Sequence, residues 1–161
     1  VFDRRLRVFT SAHKGARQLG RIKSAIFAEL PSSMESDLAR ALREISILHR
    51  RRALIVVISD VADPLSVDRQ RLALQSGSKR HGVVLATLDD PDLRALEEGR
   101  TPASAAERAV ALSLASERRA ALSQLRQSGA RVLDSLPAES AGPLLGAWLD
   151  ARRGRTLRNQ V

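Results

Sequence analysis

The stretch that most limits the fold is Ala53-Leu54-Ile55-Val56-Val57-Ile58-Ser59-Asp60. Its first six residues are apolar without alternation, and most are β-branched. The run is too short for a buried helix and has no wet face. Such a strand belongs in the middle of a parallel sheet, covered by helices on both faces. Its carboxyl end would carry Asp60 to the rim where open sheets bind their ligands.

The next signals extend this unit. A helix is expected over residues 66–80, then a second buried strand over 82–88, Gly-Val-Val-Leu-Ala-Thr-Leu. Strand, helix and strand at that spacing make one right-handed βαβ crossover. A short turn over 93–98 follows Asp89-Asp90-Pro91-Asp92. A long helix over 103–128 has its inward stripe assigned to Ala106, Val110, Leu114, Ala121 and Leu125, and Gly129 closes it. Residues 131–134 read as a last short strand. A helix over 138–152 is expected to bury Leu144, Leu145 and Trp148.

Upstream, residues 5–10 alternate as an edge strand would, with Asp3-Arg4 at the tip of a hairpin. Residues 16–30 carry Leu19, Ile22, Ile26 and Leu30 on one helical stripe, and Pro31 stops the helix. Ser36 or Asp37 can cap a helix running to about residue 48, with Leu38, Leu42 and Ile45 inward. The fold class is therefore α/β, an open and mostly parallel sheet with helices on both faces. Few strands serve many helices, so the sheet is expected to lack its first strand or strands. The chain opens as if inside a strand and turn, and is read as incomplete at its amino end. Residues 1–152 are read as one domain and 153–161 as a basic tail.

Composition excludes several functions. There is no cysteine, hence no disulfide, thiolate metal site or cysteine nucleophile. No apolar run approaches the roughly 20 residues of a membrane span. The formal net charge is +9, and 24 of the 27 basic residues are arginine. Aromatic residues are 2% and tyrosine is absent, so bases would find little to stack on. Nucleic-acid binding through arginines 4–7, 50–52 and 152–158 is the runner-up reading, behind a protein-binding one.

Candidate chemistry gathers at the carboxyl ends of the strands: Ser59, Asp60, Asp63, Asp89, Asp90 and Asp92, with Ser36 and Asp37 able to reach the same edge. Oxygen donors of this kind suit Mg²⁺. Against this, aspartate at a strand end commonly makes turns or caps helices, most clearly at Asp63-Pro64 and Asp90-Pro91. His13, His49 and His81 have no partner at a metal-ligand spacing and read as surface residues. No nucleophile elbow, phosphate loop or dinucleotide fingerprint occurs, and no nucleophile pairs with a base, so an enzyme is not expected.

Several segments together resemble one bacterial family. They are Val1-Phe2-Asp3-Arg4-Arg5-Leu6-Arg7-Val8, Glu35-Ser36-Asp37-Leu38, residues 50–60, Asp63-Pro64, Leu125 to Asp134 and Trp148 to Arg155, in that order. The family is the domain of unknown function numbered fifty-eight, a branch of the von Willebrand factor A-like proteins, whose fold is Rossmann-like. The resemblance implies a partner-binding role in assembling or activating complexes. The implied partner is a MoxR-type AAA ATPase, and the implied setting is the cytoplasmic domain of a membrane-anchored protein. It also implies a Mg²⁺ site built from an Asp-x-Ser-x-Ser loop, a Ser or Thr on a second loop, and an aspartate after a later strand. Asp60 matches the last ligand, and Ser36 or Asp37 the middle one. The Asp-x-Ser-x-Ser loop is not in this chain. The site is thus expected to be incomplete, with no cofactor held here and Mg²⁺ only in an intact protein. A homodimer that fills the gap in the sheet is a further expectation.

Overall fold

The computed structural model describes residues 1–11, 13–30, 36–59 and 66–154. The chain divides into two compact units, Val1–Arg50 and Arg51–Val161.

The first unit begins with a tight turn. Phe2 and Leu6 form a single antiparallel bridge, and the Asp3 carboxylate accepts from the Arg5 N–H at 3.1 Å. The turn expected at Asp3-Arg4 is present, but residues 5–10 form no strand. Arg7 instead ties the segment to the end of the first helix. Its guanidinium meets Glu29 at 2.7 Å and donates to the Leu30 carbonyl at 3.1 Å. Helix α1 spans Arg17–Phe27 and buries no residue. Its apolar stripe, Leu19, Ile22 and Ile26, is exposed. Helix α2, Leu38–Leu48, buries Leu38, Ala41 and Leu42.

The second unit is the α/β layer. Strands β1 (Leu54–Ile58), β2 (Gly82–Leu88) and β3 (Arg131–Ser135) form a parallel sheet in the order β1-β2-β3. Helices α3 (Val67–Ser78), α4 (Pro91–Glu97), α5 (Ala105–Arg126) and α6 (Ala141–Arg152) connect and cover it. Register shows which helix lies on which face, because paired residues in a parallel sheet point the same way. Ile55, Val57, Val83, Leu85, Thr87, Val132 and Asp134 share one face. Helix α5 covers that face, since its Arg118 reaches Asp134, and α3 packs against α5. On the other face Arg131 pairs with Asp150 of α6 at 2.9 Å. The sheet is open, with helices on both faces, as the sequence predicts.

Residues 53–58 do not form the interior strand expected of them. The interior strand is β2, whose residues Val83, Val84, Leu85, Ala86 and Thr87 are all buried. Among the described residues β1 pairs with β2 alone, so it is an edge strand. Ile55 and Val57 are buried, yet Val56 is 42% and Ile58 63% exposed. Their register partners Val84 and Ala86 are enclosed. Apolarity on both faces of residues 53–58 correctly signals a strand, and predicts cover on both faces. The described residues supply that cover only once.

Helix α5 starts with a capping box. The Ser104 hydroxyl accepts from the Glu107 N–H at 3.2 Å, and Glu107 accepts from the Ser104 N–H at 2.7 Å. Ser104→Ala is expected to lower stability by about 1 kcal/mol, read in a urea titration at neutral pH. The Ser104 side-chain and backbone hydrogen bonds hold the Glu107 carboxyl below its ordinary value. A depressed carboxyl contributes stability above its unfolded pKa, roughly 4.3, and loses it as pH falls through the folded value. The deficit of Ser104→Ala should therefore shrink on acidification below that range.

Candidate functional site

The carboxyl rim of the sheet is where the sequence places its acidic candidates. Asp89 follows β2, and its N–H donates to the Ser135 carbonyl at 3.0 Å, which joins the ends of β2 and β3. Asp90 turns the chain into α4. Its Oδ1 accepts from the N–H groups of Asp92 and Leu93 at 2.9 and 3.3 Å. That is the turn-making role expected of an aspartate before proline. Asp92 is exposed in the first turn of α4, where a negative charge favours the helix dipole.

The centre of this rim is a cation that sequence reasoning missed. Arg118, from the middle of α5, places Nη2 at 2.7 Å from Asp134 Oδ1 and 3.1 Å from the Leu88 carbonyl. Its Nε lies 3.6 Å from Asp89 Oδ1. Asp134 Oδ1 also accepts from the buried Thr87 hydroxyl at 2.8 Å. On the other side of Asp89, Arg94 Nη1 approaches Oδ2 at 3.7 Å. Asp89 and Asp134 are thus neutralised by arginine in a partly buried network. The sequence offers one hint of it: Thr87 interrupts an apolar strand and needs a partner. Nothing in the periodicity of α5 singles out Arg118.

Asp37 caps α2, its Oδ1 accepting from the Arg40 N–H at 2.8 Å, and Ser36 beside it is exposed. Asp60 and Asp63 lie outside the described residues. Among the described residues no three His, Cys, Asp or Glu side chains gather as a metal group. The donors on view do not by themselves fit a Mg²⁺ ion, which wants several converging oxygens.

The opposite rim holds a cleft of about 1000 Å³, at the amino ends of β1 and β2. Two expectations are corrected there. His81, read as a surface residue, is 1% exposed. Its Nδ1 lies 3.4 Å from the Ala53 N–H. It immediately precedes β2, so it is drawn under the sheet end despite its basic neighbours Lys79 and Arg80. His13 and His49 are exposed, as expected. Trp148, read as core, is 44% exposed on the cleft wall, with the Arg152 guanidinium 5.0 Å from its ring centroid. Ala147 takes the buried position of α6, while Leu145 is exposed.

An open three-stranded parallel sheet with helices on both faces defines the class as α/β. The family model described as "Protein of unknown function DUF58" matches residues 1–132, and the chain belongs to that family. Comparisons with curated proteins and with solved structures each found no match. Among the described residues no helix is long and apolar enough to cross a membrane.

Proposed function

We propose that this chain is a protein-protein interaction module of von Willebrand factor A-like type that docks through the uncovered side of β1. The observation that carries the reading is the pair Val56 and Ile58. They are large apolar side chains, 42% and 63% exposed, whose register partners Val84 and Ala86 on β2 are enclosed. Apolar surface beside an unpaired strand edge marks an interaction site. Strand addition would satisfy the backbone, and the two side chains would supply buried area. The partner expected from the family resemblance is a MoxR-type AAA ATPase. The setting proposed is the cytoplasmic part of a membrane-anchored protein.

The test is capture of a MoxR-type ATPase by the purified chain. Val56→Glu/Ile58→Glu should abolish capture while leaving thermal unfolding within a few degrees of wild type, because both residues are exposed. Undiminished capture by the double variant would refute docking through β1.

We further propose that Asp60, Ser36 and Asp37 are the remnant of a degenerate metal site. Asp37 is engaged by its helix cap, and the arginine-paired Asp89 and Asp134 offer no free carboxylate. Titration calorimetry with MgCl₂ should show binding no tighter than about 1 mM. Micromolar affinity would show a competent site.

A further inference from the structure

We propose that the cleft at the amino rim of the sheet, opposite the acidic rim, binds a small phosphate-bearing polyanion. Its wall includes Arg52, Lys79, Arg152, His81, Ser78 and Trp148, and no carboxylate. Several cations elsewhere in this unit are ion-paired. Arg118, Arg94, Arg119 and Arg131 each meet an aspartate or glutamate. Arg52 and Lys79 are exposed and ion-pair with no described carboxylate, and Arg152 contacts the Trp148 ring.

An ordinary explanation exists for part of this. Helices α3, α5 and α6 all end beside the cleft, whose wall includes Ser78 and Lys79, Ser128 and Gly129, and Arg152 and Gly154 at or just past their last residues. Cations near helix carboxyl ends complement the dipole. The magnitudes decide against it as the whole account. Three such termini bring roughly 1.5 negative charges, against three full positive ones. Arg52, moreover, belongs to no helix. It precedes β1, in the run that leads into the strand.

A second observation points the same way. The Ser78 hydroxyl is buried and has no hydrogen-bond partner. A buried polar group left unpaired is costly, and Ser78 belongs to the cleft wall. Converging polar groups in one cavity of this size fit a small-molecule site. Three cations exceed what a single carboxylate can match. Guanidinium forks and an ammonium suit phosphate oxygens.

Trp148 is the only tryptophan of the chain and lies on the cleft wall, so its emission reports occupancy directly. The chain would be titrated with pyrophosphate, with ATP and with a single-stranded DNA oligonucleotide, following Trp148 fluorescence and heat. Saturable binding of pyrophosphate and ATP with similar affinity is expected if phosphate alone is read. Tighter ATP binding would show that the base also uses the indole. Arg52→Glu/Lys79→Glu should weaken either ligand by about tenfold or more. Arg69→Glu, a charge change outside the cleft wall, should leave both within twofold. Ser78→Ala should weaken binding without lowering the melting temperature. The proposal is overturned if neither small ligand saturates, if the double reversal binds as wild type does, or if only the oligonucleotide binds.

Discussion

Leu125→Ala is expected to destabilise the second unit by about 3 kcal/mol. Leu125 is 0% exposed, near the end of the helix that covers the sheet through β3. Truncation removes the transfer energy of the lost carbons and leaves a cavity in the core. The natural control lies on the same helix. Leu114 is exposed, so Leu114→Ala should change stability by less than about 0.5 kcal/mol. A urea titration of the pair, read as midpoint shifts at constant slope, measures which side of α5 faces the sheet. Equal losses would mean that the helix is rotated from the orientation described.

The second large effect concerns the rim. Arg118→Ala should cost about 2 kcal/mol, because it strands two partly buried carboxylates, Asp89 and Asp134, beside one another. Removing one partner of a fully buried pair costs more. The side chains here retain 16%, 21% and 25% exposure, so solvent relieves part of the loss. Chemical denaturation of Arg118→Ala, Asp134→Ala and the double variant forms a cycle. A coupling of about 1–2 kcal/mol is expected. A coupling near zero would reduce Arg118 to an ordinary surface cation and would reopen the rim as a free acidic site.

How far the fold could be read varies by element. Residues 82–88 are the strand expected, because an unbroken apolar run flanked by turn residues admits little else at that length. The helix over 105–126 was legible, but its phase was not. Ala111, Ala115 and Leu122 are buried, together with the expected Ala121 and Leu125, while Val110 and Leu114 face out. Alanine, valine and leucine occur around most of that helix, so periodicity cannot choose a side. The Ser104-x-x-Glu107 spacing that starts it is a readable signal.

The candidate site was legible only as a list of carboxylates. Asp90 could be assigned to its turn from Asp90-Pro91 alone, because that chemistry is local. Whether Asp89 was free to hold a cation could not be known, since Arg118 lies 29 positions along the chain.

Alone, the sequence determined the α/β class, the positions of the three parallel strands and the absence of thiol chemistry, because strand length, apolarity and residue type act locally. Tertiary structure decided which strand is enclosed, that α6 buries Ala147 and leaves Trp148 half exposed, and which arginines neutralise the acidic rim. Those outcomes depend on distances between residues far apart in the chain. Burial and ion pairing are set by neighbours in space, which no local pattern specifies.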